Sequence, residues 1–563
     1  MKVFCLRGLS GQRSWDWQAQ NKVCEEVGNG EMKKERSVTF NFIMNFILTA
    51  SSFVFPLITF PYVSRVLLPV GNGKIASATA IVSYFSMVSM LGIPTYGIRA
   101  CAQVREDKEK LSRTVQEILI INVAMTVLVY IVFGACLYLV PKFAEDRMLL
   151  AVVGTTILLN VIGVSWLYAA LEQYAYITVV SLVFKVVGIL LMFLFVKERQ
   201  DYVIYGGITV ISNVGSYVFN FLRLGKYIIL KPLGGYNLRR HLKPIGIFCA
   251  MTVATSIYTN LDTVMLKFIS GDEQVGYYTA AVKVKTIVAS LVTSIGTVLL
   301  PRLSFYVEKG MQEEFKRMAS KALCFVAMVS LPLTVYFMMF AGESIGFLSG
   351  AAYRPATAPM CLIMPTVVFI GMSNILGMQV LVPTDREKEV LKSVVLGGIV
   401  DMVLNLALIP KMGASGASIG TLAAELAVLA AQMVFLRGFL QEIRQECRLW
   451  PYLLAALPAV AVSWLLKIGG EPLAAKAFPY MRAVKVSMLD YQGTAGGIEI
   501  FPSTAGYFII LAVTGAVFFG IYGGMLLLAK EPIVMEYVVP YLKKLKIITK
   551  IGSGNKLQKQ EKS

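Results

Sequence analysis

Fourteen strongly apolar stretches of roughly 17–28 residues follow one another from Thr39 to Leu528, and the loops between them alternate between basic and nearly charge-free. A bilayer's hydrocarbon core takes about 20 apolar residues per helix, and only helices or closed barrels satisfy their backbones there. The stretches are too long for barrel strands of about 9–11 residues. The pattern therefore predicts an all-α polytopic membrane protein. Composition agrees: 15% of residues are charged, against about 25% in soluble domains.

The predicted spans are 39–62, 75–97, 117–140, 148–170, 176–196, 202–222, 244–269, 276–300, 320–341, 356–382, 390–410, 414–436, 449–466 and 504–528. The chain carries 53 Lys and Arg against 34 Asp and Glu. In a soluble protein that excess would suggest nucleic acid, but here the charge must be weighed by loop side. With the N-terminus inside, 33 basic residues fall on the inner side and 12 on the outer. By the positive-inside rule both termini are cytoplasmic, in the cytoplasmic membrane, with no nucleic-acid partner expected.

Residues 1–31 lack the apolar core of a signal peptide and read as a disordered extension, or as a start placed ahead of the one at Met32-Lys-Lys-Glu-Arg. The basic segment 531–563 reads as a cytoplasmic tail lying against anionic headgroups. The eight cysteines show no CxxC and no close pairing, so neither a disulfide framework nor a zinc site is expected. The single histidine, His241, sits in the basic loop KPLGGYNLRRHLKP and is expected to be solvated. There is no GxSxG, no P-loop and no GxGxxG after a strand. With no catalytic apparatus or metal-ligand set visible, a transporter is expected rather than an enzyme.

An internal repeat is legible. PYVSRVLLPVGNGKIASATAIV resembles NLDTVMLKFISGDEQVGYYTAAVKV, and aligning Gly73 with Gly276 gives an offset of 203. DYVIYGGITVISNVGS similarly resembles PKMGASGASIGTLAAE at an offset of about 210. Two six-helix bundles in the same orientation follow, at 32–243 and 244–440. Residues 441–530 add two further helices joined by the outer loop 467–503. Parallel repeats place a substrate cavity at their interface, and rocking of the halves gives alternating access.

The segments FPLITFPYVSRVLLPVGNGK and LGIPTYGIRACAQVREDKEKLS, with NLDTVMLKFISGDEQVGYYTAAVKV, LLPRLS and IPKMGASGASIGTLAAE, resemble the signatures of polysaccharide-biosynthesis flippases. These belong to the multidrug/oligosaccharidyl-lipid/polysaccharide exporter superfamily, and the resemblance covers about residues 33–466. It implies twelve to fourteen helices in two bundles, and transfer of lipid-linked oligosaccharide repeat units from the inner to the outer leaflet. Membrane lipids, a glycan polymerase and other export machinery would be the partners. The alternatives are a cation-coupled multidrug exporter of the same fold and, remotely, a membrane glycan polymerase or ligase.

Moving a pyrophosphate-linked sugar through hydrocarbon requires a wet, cationic cavity, and ionisable residues within helices are the suspects. Lys283 and Lys285 follow the start of the eighth span, Asp262 precedes the end of the seventh, and depth counting places Asp262 and Lys283 roughly 10 Å below the outer surface. Asp262 could pair with Lys283, or the lysines could meet a phosphate. Lys285, two residues on, points about 200° away from Lys283, so at most one should face a given partner. Arg65 offers a two-toothed phosphate contact, or snorkels to the interface. Arg99 could meet the incoming headgroup or simply be a positive-inside residue. Lys185 is isolated in mid-helix, with Glu172 as an awkward alternative partner. Asp401 and Glu425 lie at similar depth on connected helices, with Asn405 one turn from Asp401. They could hold Na⁺ or H⁺ for coupling, or merely neutralise a cavity lysine. No other cofactor is expected.

Overall fold

The computed structural model describes residues 38–443, 450–477 and 502–540. The expectations for residues 1–31, for most of the 467–503 loop and for the end of the basic tail lie outside those residues. Every regular element among the described residues is helical. In chain order the principal helices are α1 (Val38–Met90), α2 (Ile93–Gln103), α3 (Lys108–Leu139), α4 (Arg147–Ile162), α5 (Tyr174–Phe195), α6 (Tyr202–Val214) and α7 (Ser216–Leu222). The second half contains α8 (Arg239–Ser270), α9 (Asp272–Glu308), α10 (Gln312–Met339), α11 (Ala341–Ser349), α12 (Thr357–Ile363), α13 (Thr366–Asn374), α14 (Glu387–Met412) and α15 (Ala414–Phe435). The chain closes with α16 (Trp450–Ala477) and α17 (Pro502–Leu528).

Ten helices are long and apolar enough to cross a membrane, or twelve if each of two bent pairs is one span. α1 is itself two helices joined at Leu68, and α8 is a long helix that is less apolar, so the architecture is compatible with the fourteen predicted crossings. α5 shows why these helices suit lipid. Val183, Leu190 and Leu194 are exposed on one side, while Ile177 and Gly188 are buried on the other. An apolar outward face is what hydrocarbon demands.

Several expected boundaries move. Where a loop was expected between the first two spans, the backbone reverses at Leu68 alone (φ 58°, ψ 179°), just before Pro69. That conformation belongs almost exclusively to glycine, and a leucine there is strained. The second reversal, 203 positions later, uses Gly271 (φ 85°, ψ 176°). The second predicted span is broken at Leu91–Gly92, both with positive φ. The tenth bends by 45° around Pro365, which cannot continue the hydrogen-bond ladder. The sixth bends by 41° between α6 and α7, a bend that no proline announces. α16 runs to Ala477, so part of the expected outer loop is helical.

The two halves meet reciprocally at these reversals, a region called the junction below. A Cβ on Gly73 would lie 1.8 Å from the Asp272 carbonyl oxygen, and a Cβ on Gly276 would lie 2.1 Å from the Pro69 carbonyl oxygen. Gly73 and Gly276 are one repeat pair, and Pro69 and Asp272 are another at the same offset of 203. Only glycine permits backbones to approach so closely. α16 and α17 pack against α10, and α17 also against α11. There Tyr336 donates to the Leu511 carbonyl (2.6 Å) and Tyr522 to the Met328 carbonyl (2.9 Å).

Candidate substrate cavity and its flanking charges

A cavity of about 910 Å³ lies between the halves, walled by α1, α4, α5, α6 and α7 on one side and by α8, α9, α14 and α15 on the other. No described residue of α16 or α17 lines it. Three lysines reach it: Lys185 from α5, and Lys283 and Lys285 from α9. Lys185 donates to Ser51 Oγ (2.6 Å) and Ser52 Oγ (3.1 Å), and Glu172 pairs instead with Arg105 (2.8 Å). Lys283 and Lys285 have no ion-pair partner among the described residues. Both line the cavity despite their angular separation, because the cavity wraps around α9 far enough to receive both.

Arg65 and Arg99 are not among the cavity's lining residues. The guanidinium of Arg65 donates to the carbonyls of Pro61 (2.5 Å), Gly346 (3.2 Å) and Phe347 (2.7 Å), and to Thr504 Oγ1 (3.0 Å). Two of those carbonyls belong to the last turns of α11, where Gly346 also accepts from the Gly350 N–H (3.0 Å). The phosphate role expected of Arg65 is thereby displaced: its fork is occupied in tying α1, α11 and α17 together. Arg99 is exposed on α2.

The acids gather differently from the simplest expectation. Asp262 does not pair with Lys283. It accepts from Asn405 Nδ2 (2.5 Å), Thr421 Oγ1 (2.9 Å) and the Tyr278 hydroxyl. Asp401 sits beside Asp262 and Asn405, with Glu425 nearby. Two oxygens here, Asp401 Oδ1 and Asn405 Oδ1, are buried without a hydrogen-bond partner. Both face Gly420, where a Cβ would come within 3.1 and 2.3 Å of them. Among the described residues no three His, Cys, Asp or Glu side chains form a metal-binding group. Any cation here would rest on mixed carboxylate, amide and hydroxyl oxygens.

Two clusters outside the cavity were not anticipated. At the junction Asp146, at the start of α4, pairs with Lys74 (2.8 Å) and Lys267 (2.6 Å), and Lys267 also pairs with Asp272 (2.6 Å). Burial works against the charged Asp146, but Lys267 and Lys74 hold its carboxyl below the usual range. At the opposite end of α8, His241 is buried rather than solvated. Its Nε2 meets Glu117 Oε2 (2.6 Å) and its Nδ1 the Tyr96 hydroxyl (2.6 Å). Arg240 and the Asn237 N–H also donate to Glu117, at 2.9 and 2.7 Å. The linker between the halves (223–238) is also strapped to α3 beside Glu117, since Gln116 Nε2 donates to the carbonyls of Ile229 (2.7 Å) and Lys231 (3.0 Å). A lone acid at the start of an apolar span was the only sequence signal for this cluster. The five described cysteines are free thiols.

An all-helical chain of membrane-crossing length, in two repeat-related halves around a polar cavity, defines a membrane transporter. Residues 38–307 match the family described as "Polysaccharide biosynthesis protein". That match spans just under half of the chain and agrees with the resemblance to polysaccharide-biosynthesis flippases read from the sequence. The chain is 24% identical over 404 residues to a putative O-antigen transporter of Escherichia coli K12, covering 71% of this chain and 97% of the relative. It is 23% identical over 244 residues to the probable flippase AglR of Haloferax volcanii, covering 43% and 47%. Among solved structures, the fold is shared with the lipid II flippase MurJ in its inward closed conformation. That match has a TM-score of 0.61 at 14% identity and covers 85% of this chain and 99% of that one.

Proposed function

We propose that this protein flips lipid-linked oligosaccharide repeat units, carried on an undecaprenyl-type pyrophosphate, across the cytoplasmic membrane by alternating access between its halves. The observation that carries the reading is the pair Lys283 and Lys285, unpartnered among the described residues, facing a 910 Å³ cavity with Lys185 on the other wall. Half-buried ammoniums without a counter-ion are costly in a membrane, and a phosphate repays them where water is scarce. The E. coli and H. volcanii relatives, named a transporter of O-antigen and a flippase, point the same way. With 33 basic residues on one side and 12 on the other, both termini lie in the cytoplasm and the junction faces outward.

The orphaned oxygens of Asp401 and Asn405 beside Asp262 and Thr421 fit a hard monovalent cation, so Na⁺ is the coupling ion this reading favours, with H⁺ as the alternative. A cation-coupled drug exporter is the competing reading, favoured only by that acidic cluster. Complementation of a strain lacking its own flippase decides between them. Lys283→Gln with Lys285→Gln should abolish glycan export while membrane abundance stays normal. Normal export from the inserted double variant defeats the flippase reading.

A further inference from the structure

The walls of the cavity differ in kind. The wall from the second half bears Asp262, Lys283, Lys285, Asp401 and Glu425, whereas the wall from the first half has Lys185 as its one charged lining residue. Both walls carry hydroxyls, but on the first the polar groups besides Lys185 are uncharged, among them Thr156, Ser181, Ser212, Asn213, Tyr217 and Asn220. None of these six side chains has a hydrogen-bond partner among the described residues, and Asn220 Oδ1 is buried without one. A membrane helix ordinarily satisfies its hydroxyls locally, as Thr209 does on the Gly206 carbonyl (2.7 Å) and Thr59 on that of Phe55 (3.1 Å). Of the six, Asn220 has a buried unmatched oxygen, which is costly to leave bare, and the other five open onto the cavity, where a hydroxyl-rich ligand or water can meet them.

Their placement follows helical spacing. Ser181 precedes Lys185 by one turn on the same face of α5. Ser212 and Asn213 sit near the end of α6, with Tyr217 and Asn220 on α7 just past the bend. That bend turns both segments' polar groups toward the same space as Ser181 and Lys185.

We propose that this wall is a sugar-recognition surface that takes an uncharged, hydroxyl- and acetamido-bearing sugar next to the pyrophosphate, with Asn213 and Ser181 as specificity-determining residues. The proposal rests on the flippase reading. Hydroxyls and amides both donate and accept, which matches sugar hydroxyls and an N-acetyl group. A site built to bond hydroxyls discriminates strongly against a ligand that lacks them. An anionic sugar would find only Lys185, which the phosphate already requires.

The test uses the purified full chain in detergent and calorimetric titration with two probes, farnesyl pyrophosphate and farnesyl-pyrophosphoryl-N-acetylglucosamine. The wild type should bind the sugar-bearing probe about tenfold or more tightly than the bare one, in line with one or more hydrogen bonds gained. Asn213→Ala with Ser181→Ala should erase that preference and leave the affinity for farnesyl pyrophosphate unchanged, whereas Lys283→Gln should weaken both probes. Asn213 is exposed to the cavity, and thermal unfolding without ligand checks that the variant is folded. Equal binding of the two probes by the wild type overturns the sugar surface and leaves the flippase reading standing. So does a double variant that weakens both probes alike, or one that keeps the wild-type preference. Tighter binding of a glucuronic acid-bearing probe than of the acetamido one overturns the preference for uncharged sugars. Failure of the wild type to bind either probe brings down the flippase reading, and this inference with it.

Discussion

At the junction, α8 and α9 meet the first half through backbone contact, glycine on carbonyl, with an ionic quartet beside it. At the linker end, α8 meets the same half around the buried Glu117, with one close backbone approach where Gly92 faces Phe248 and Cys249. The junction depends on the absence of atoms, since Gly73 and Gly276 leave room for the carbonyls of Asp272 and Pro69. The linker end depends on their presence, since one carboxylate accepts from Arg240, His241 and the Asn237 N–H. Smooth surfaces with little interlocking can part and close again. A buried charge that loses its partners pays a large desolvation penalty. The two ends of α8 therefore differ in what sets the contact: close backbone approach beside an ion-paired quartet at one, a single shared carboxylate at the other.

The largest break in that comparison should come from the glycines. Gly73→Ala or Gly276→Ala places a Cβ about 2 Å from a carbonyl oxygen. Overpacking of this kind costs about 1–3 kcal/mol, so transport should fall by roughly tenfold or more with normal membrane abundance. Gly134→Ala, where nothing lies within 4 Å, should be silent in the same export assay. Wild-type export from Gly276→Ala would mean that the junction need not close.

On stability rather than transport, the largest effect belongs to Glu117→Ala. Removing the shared carboxylate strands His241 and Arg240, and because Arg240 is half-exposed the cost should sit near the low end for buried pairs, about 3 kcal/mol. Thermal unfolding in detergent should show a clear downward shift. An unchanged unfolding temperature would refute the idea of a fixed strap.

The smallest effect belongs to Asp146→Asn. Lys267 keeps Asp272, so the loss should be about 1–2 kcal/mol, between exposed and buried pairs. Because the Asp146 carboxyl is held below its ordinary value, its stabilisation is complete above the unfolded value of about 3.9 and fades as pH falls through the depressed one. Unfolding temperature measured from pH 6 downward should therefore converge between wild type and Asp146→Asn in acid. A gap that widens in acid would reverse the assignment.

Periodicity and loop charge made the helical architecture legible, because a bilayer imposes one length and one secondary structure on every crossing. The repeat was legible too: the offset read from Gly73 and Gly276 is the offset of the backbone reversals at Leu68 and Gly271. Lys185, Lys283 and Lys285 could be listed as suspects because charge inside an apolar span is conspicuous. What each charge touches was beyond the sequence. Arg65 looked like a phosphate ligand, yet the end of α11, nearly three hundred residues away, claims its donors. His241 looked solvated, but the return of the linker onto α3 buries it against Glu117. The hydroxyl wall had no sequence signal, since serine, threonine and asparagine are common in membrane helices and usually bond their own backbone. Sequence determines which residues a membrane will tolerate and where the chain must cross. Only the packing of distant helices decides which polar groups are satisfied, and so which remain for a ligand.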